Sequence, residues 1–228
     1  MRLNKYSFVL IVVTIFSFNI FSRAYAKNND FDYNKIILID PGHGGFDGGA
    51  VSPRGTVEKD INLKICLKLK SKLEQEGYKV ILTREDDRAL YGEDKRERNK
   101  KRKDLNNRCN MKNTSNCDMF ISIHLNKFPE SKYYGAQVWY SENSGSAKLA
   151  HLIQENFKTD IDNTNNRVEK SAKGAYKILR SYDKMPSVIV ECGFLSNASE
   201  EEKLKNDEYQ NKIADSIKKS VNMYFINQ

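Results

Sequence analysis

The sequence predicts an α/β fold: a single domain on a mixed, mostly parallel sheet of about six strands flanked by helices. Two patterns carry that prediction. Short apolar runs rich in Ile, Val and aromatic residues, at residues 36–39, 78–83, 119–125, 135–140, 176–180 and 187–192, alternate with longer stretches of helical period. The chain beyond its first 26 residues is also long enough for one domain with a substantial core and too short for two, and no internal repeat divides it.

Residues 1–26 are set apart. Arg2 and Lys5 precede an apolar run over residues 6–21, and Ala24-Tyr25-Ala26 closes it, the layout of a secretory signal peptide. Ser17 and Asn19 interrupt the run, which is too short for a spanning helix. The expectation is an exported, extracytoplasmic protein with a catalytic domain over residues 27–228. Membrane contact arises only through the N-terminal segment if it stays uncleaved.

Residues 36–39 (IILI) read as a buried strand that passes through Asp40 and Pro41 into a loop holding Gly42, Gly44, Gly45, Gly48 and Gly49. Ile61, Ile65, Leu69 and Leu73 then mark an amphipathic helix stopped by Gly77. Residues 78–83 (YKVILT) form the next strand. Residues 88–103 are crowded with Lys and Arg among acids, which suits a solvated helix face or mobile segment, or else a surface for an anionic partner. A helix through Leu105, Arg108 and Met111 leads to residues 119–125 (MFISIHL). GAQVWY at 135–140 is a strand, and Leu149, Ile153 and Phe157 stripe a helix that leaves His151 exposed. Residues 158–174 read as a long loop, residues 176–180 and 187–192 (SVIVEC) as two strands. A closing helix over 207–225 buries Tyr209, Ile213, Ile217, Val221 and Tyr224.

The chain has 3 histidines, and His43 and His124 each stand at or just past the end of an apolar run. With Glu58, at the start of the first helix, they supply two imidazoles and a carboxylate, a three-ligand zinc set with a fourth position open for water. Two readings stand together here: metal ligands, or hydrogen-bonded strand-end histidines beside a first-turn acid favoured by the helix dipole. Glu191 lies inside VIVECGF, where a carboxylate must be paired or functional. In a parallel sheet, ligands sit outside the carboxyl ends of the strands, which brings His43, His124 and Glu191 to one edge if their strands are neighbours.

The formal charge of +8 falls to +5 without Arg2, Lys5 and Arg23, an excess suited to an anionic polymer or lipid surface. No nucleic-acid motif accompanies it, and no nucleic-acid partner is expected. The 4 cysteines show no disulfide framework: Cys66 and Cys192 read as buried thiols, while Cys109 and Cys117 flank a short polar turn across which they can pair.

His43 within DPGHGGFDGGA, Glu58 within EKD, His124 within SIHLN and Glu191 within VECGFLSN together resemble the zinc-dependent N-acetylmuramoyl-L-alanine amidases. The four blocks stand in the family's order from Ile36 to about Phe225. The resemblance implies Zn2+ held by His43, Glu58 and His124, with Glu191 as the catalytic carboxylate. It implies cleavage of the amide between N-acetylmuramic acid and L-alanine in peptidoglycan, in the cell wall or spore envelope. The compact form, with SIHLN followed by GAQVWY, is similar to the spore-cortex branch, which strips peptides from muramic acid ahead of lactam formation.

Arg84, Arg108 and Arg180 are candidates for the stem peptide's carboxylates, and Asn126 for orienting a neighbour; each serves equally as a structural ion pair or cap. No counterpart of the site-blocking helix of larger relatives is visible, so control falls to the basic surface or to an envelope or regulatory partner protein. Two alternatives remain at this point. One is a zinc peptidase or carboxypeptidase on wall stem peptides, although His43 and Glu58 lack the close spacing of those sites. The other is a non-catalytic wall-binding module.

Overall fold

The computed structural model describes residues 34–91 and 97–226; the expected signal segment lies outside them. The apolar run after Lys35 becomes β1 (Ile36–Pro41), buried at every position but its first. A strand covered on both faces needs a helical layer on each, and the rest of the chain supplies them. Beside it lie β2 (Lys79–Leu82) and β3 (Met119–Asn126), then β6 (Ser187–Phe194), β4 (Gln137–Tyr140) and β5 (Lys170–Ser171), giving the order β2-β1-β3-β6-β4-β5. The first four run parallel. β4 is antiparallel to β6 and parallel to β5, so the sheet is mixed and mostly parallel, as the alternation predicts.

One layer is α1 (Glu58–Gln75), α3 (Ser144–Asp160), α5 (Ala198–Lys205) and α6 (Asp207–Ile226). Ile61, Ile65, Leu69 and Leu73 of α1 are almost wholly buried, each worth roughly 1.5–3 kcal/mol of transfer free energy. Gly77 ends α1 at φ 94°, with Gly77 N–H on the Glu74 carbonyl and Tyr78 N–H on that of Leu73, a glycine-dependent stop. The opposite face is covered by α2 (Glu97–Thr114) and the single turn α4 (Lys177–Arg180), packed on Leu38, Phe120 and Ile189. Among the described residues no helix is long and apolar enough to cross a membrane.

Two expectations are corrected, and one open question is answered. Residues 176–180 are not a strand: Ile178 and Leu179 are buried in a helical turn whose carbonyls accept from the fully buried Lys112 Nζ, at 2.9 Å for Ile178. The sixth strand is β5, inside the expected loop, where two residues pair with Trp139 and Tyr140. Cys109 and Cys117 do not pair; all four cysteines are buried free thiols, these two within the α2-side core. α5, a helix for which the sequence reading made no assignment, is capped by Asn197, whose side chain accepts from Ser199 and Glu200 N–H.

Candidate metal centre

β1 ends at Pro41, and the Gly42 N–H continues the ladder onto the Ile123 carbonyl at 3.0 Å. Only glycine fits at 42, since a Cβ there would come within 2.4 Å of the His124 ring. His43 follows at φ 62°, a left-handed conformation uncommon for a side-chain-bearing residue and held here by its surroundings. Its Nδ1 meets Asp47 Oδ2 at 3.0 Å, across a turn closed by reciprocal Gly44–Asp47 backbone bonds. That contact leaves Nε2 facing Glu58.

Glu58 opens α1 and is buried. Its Oε2 accepts from Ala50 N–H at 2.7 Å and lies 3.3 Å from His43 Nε2. Its Oε1 accepts from Leu125 N–H at 3.0 Å and lies 3.0 Å from His124 Nδ1. The two imidazole rings stand edge to face, 5.0 Å between centroids. One ligand atom from each of His43, Glu58 and His124 lies within 4.8 Å of the others. Bonds of about 2.0–2.1 Å in a tetrahedron separate neighbouring ligand atoms by roughly 3.4 Å, so the donors are spaced for one small divalent ion and the set suits zinc chemistry.

The electrostatics fit the same use. Burial disfavours the charge on Glu58, but the two imidazoles overcome it and hold the carboxyl well below its ordinary range. Burial likewise opposes the His43 cation, and Asp47 and Glu58 outweigh it, raising His43 to about 9.

Glu191 stands directly beside His124 in the β3–β6 ladder. Its Oε2 is buried and has no hydrogen-bond partner among the described residues. Burial pushes its pKa up to about 7, against the pull of His124. After Glu191 the register slips, with Asn126 facing Phe194 and Gly193 at φ 151°. This bulge keeps Glu191 and Phe194 on one face. A cleft of about 350 Å³ opens on the α2 side, lined in part by His43, Asp47, Lys101, His124 and Ile178.

Arg84 and Arg108 commit most of their donors to the fold, and Arg108 also borders the cleft. Arg84 spends Nε on the Pro41 carbonyl, Nη2 on those of Gly42 and Lys59, and Nη1 on that of Asp86. Arg108 spends Nη1 on Asp40 (2.6 Å) and the Pro41 carbonyl, Nε on Asp104 and Nη2 on the His43 carbonyl. Both are buried and brace the glycine loop from beneath. Arg180 is exposed and donates to the Gly174 carbonyl. Asn126 accepts from Lys127 N–H and closes the end of β3. Of these contacts, the one that reaches the triad is Arg108 on the His43 main-chain carbonyl, not on a ligand atom. Asp47 was missed, although its place four residues after His43 in a turning loop is a signal for an imidazole-orienting acid.

A family model described as N-acetylmuramoyl-L-alanine amidase matches residues 37–223. The chain is 40% identical over 193 residues to the germination-specific N-acetylmuramoyl-L-alanine amidase of Bacillus subtilis (strain 168), covering 84% of this chain and 80% of that one. It is 34% identical over 194 residues to the amidase LytC of the same organism, covering 84% of this chain and 36% of LytC. Among solved structures it resembles the CwlD amidase of Clostridioides difficile, determined in complex with the GerS lipoprotein. That match has a TM-score of 0.83 and 46% identity, over 86% of this chain and 100% of that one.

Proposed function

This chain belongs to the N-acetylmuramoyl-L-alanine amidase family, and from that premise we propose a zinc-dependent hydrolase that separates L-alanine-led stem peptides from muramic acid in spore-cortex peptidoglycan. Amidase action on peptidoglycan outside the cytoplasm follows from the family. The zinc, the residue roles and the spore setting are the proposed part. The observation that supports it best is the convergence of His43, Glu58 and His124 beside a buried, unpartnered carboxylate oxygen on the neighbouring strand.

In this reading His43, Glu58 and His124 would hold the ion. Zinc bound there supplies Lewis acidity, polarising the amide carbonyl and making water a usable nucleophile near neutral pH. Asp47 accepts the Nδ1 proton of His43, which fixes the tautomer and leaves Nε2 as a donor pair. Glu58 stays anionic because two backbone N–H groups and two imidazoles face it. Glu191 takes the proton of the attacking water and returns it to the departing alanine nitrogen, a task for which a pKa near 7 is matched. Arg84 and Arg108 keep the His43 loop seated on the sheet.

The deciding experiment is mass spectrometry of digested cortex muropeptides. Intact stem peptides beginning with alanine, formed with zinc and lost with chelator, are the expected products. Cuts within the stem, or none, would overturn the reading. Zinc affinity should also rise with pH, because a protonated His43 cannot bind metal. With His43 at about 9 in the metal-free protein, each unit below that costs about tenfold in apparent affinity. Competition against a chromophoric chelator at several pH values checks this, and a flat profile would contradict it.

The similar CwlD amidase was solved with a lipoprotein, which supports a comparable envelope partner for this chain. Full zinc loading and activity of the isolated enzyme, with no protein recovered on it from sporulating cells, would remove that partner.

A further inference from the structure

On the side of Glu191 away from His124, the sheet carries a second polar arrangement. Gln137 of β4 stands opposite Glu191 in the antiparallel ladder, and His124 stands opposite it in the parallel one. Directly opposed residues share a face, so His124, Glu191 and Gln137 form one row at the edge of the sheet. Gln137 is buried; its Nε2 donates to the Val168 carbonyl at 2.8 Å, and its Oε1 accepts from Arg167 Nη1 at 3.2 Å.

Arg167 is held on two further sides. Its Nε donates to the Tyr134 carbonyl at 2.7 Å, and its guanidinium lies over the Phe194 ring, 4.5 Å from the centroid. Phe194 is the residue that the bulge returns to the face of Glu191. Among the described residues, the other terminal nitrogen of Arg167 has no acceptor, and no carboxylate lies in ion-pair range of Arg167. A preorganised guanidinium with an unused donor edge suits a carboxylate ligand. Beside it opens a cleft of about 230 Å³ lined by Lys132, Tyr133, Tyr134, Asn165, Asn166 and Arg167. Lys132 is exposed, with Nζ 5.4 Å over the Tyr133 ring, and adds a second positive charge.

We infer that this cleft is the subsite for the free carboxylate on the stem-peptide residue that follows L-alanine, with Arg167 as the gripping residue. The assignment rests on the amidase reading and deepens it. The spacing agrees: Gln137 lies one strand, about 4.8 Å, beyond Glu191, and Arg167 lies one hydrogen bond further. In the substrate, that carboxylate is two residues from the scissile nitrogen, roughly 7 Å in extended chain. The carboxylate recognition expected of Arg84, Arg108 and Arg180 thereby moves to an arginine on the expected loop.

The test uses the full chain with zinc and two compounds, N-acetylmuramoyl-L-alanyl-D-glutamate and N-acetylmuramoyl-L-alanyl-D-isoglutamine, which differ only in carboxylate against carboxamide. Wild type should favour the acid by about tenfold or more in kcat/KM, chiefly through KM. Arg167→Met should erase the preference, and Arg167→Lys should keep part of it. No preference in wild type, or equal losses on both compounds in Arg167→Met, overturns the subsite. If Arg167→Met fails to fold, Lys132→Ala, on an exposed side chain, should cut the preference severalfold, and an unchanged preference overturns it. If wild type cleaves neither compound, the amidase reading fails separately. Calorimetry with L-alanyl-D-glutamate against its amide then decides the subsite: acid-selective binding lost on Lys132→Ala or Arg167→Met upholds it, and equal binding of the two dipeptides overturns it.

Discussion

Glu191→Gln should lower kcat by about 10³-fold or more while zinc content stays at the wild-type level. The substituted amide keeps the shape of the acid but cannot move the proton from water to the leaving nitrogen. Stability gives an independent readout in the metal-free protein. The folded-state pKa of Glu191, about 7, lies above the ordinary glutamate value of 4.5. Folding therefore favours the protonated form, and wild type loses stability as pH rises from 4.5 through about 7. Glu191→Gln removes that loss, so its stability relative to wild type should climb across the same window in denaturant titrations. Turnover within severalfold of wild type would take Glu191 out of the mechanism.

Arg108→Met should be the most destabilising single change at the site, by about 3–5 kcal/mol, because it leaves Asp40 buried without its cation. The Arg108–Asp40 pair is nearly solvent-free, with side chains 4% and 3% exposed. Burial alone would raise the Asp40 pKa, but Arg108, with the Thr83 and Ser122 hydroxyls, lowers it to about 2 from 3.8. A depressed carboxyl contributes stability above pH 3.8 that is lost as pH falls toward 2. The variant should lose this acid dependence together with the free energy. Since Arg108 also holds the His43 carbonyl, zinc affinity should drop in parallel. Chemical denaturation midpoints and metal titration measure both, and a change under about 1 kcal/mol would show that the pair contributes little net stability.

The elements that the sequence placed well carry a hydrophobic signal of their own, continuous in the strands and periodic in the helices. β1, β3 and β6 are short apolar runs between turn signals, and α1 and α6 bury residues at four-residue steps. Those that escaped have no period of their own. β5 is two residues long and exists through pairing with Trp139 and Tyr140. α4 is one turn whose buried Ile178 and Leu179 look the same as a strand fragment in sequence. Its carbonyls are satisfied by Lys112, a residue type that in sequence suggests solvent. Arg84 and Arg108 show the same limit: guanidinium chemistry is legible in sequence, but whether its donors are already spent is not.

By itself the sequence determined the sheet's central strands, the helices on its face, and the types of side chain that gather at one edge, because hydrophobic periodicity and glycine placement act locally. Tertiary structure alone decided that His43, Glu58 and His124 lie within a few ångströms, that Glu191 is their neighbour with one oxygen unpartnered, and which arginine keeps a donor to offer. Those outcomes depend on strand register and on where each buried polar group finds its partner, which are properties of segments brought together from far apart in the chain.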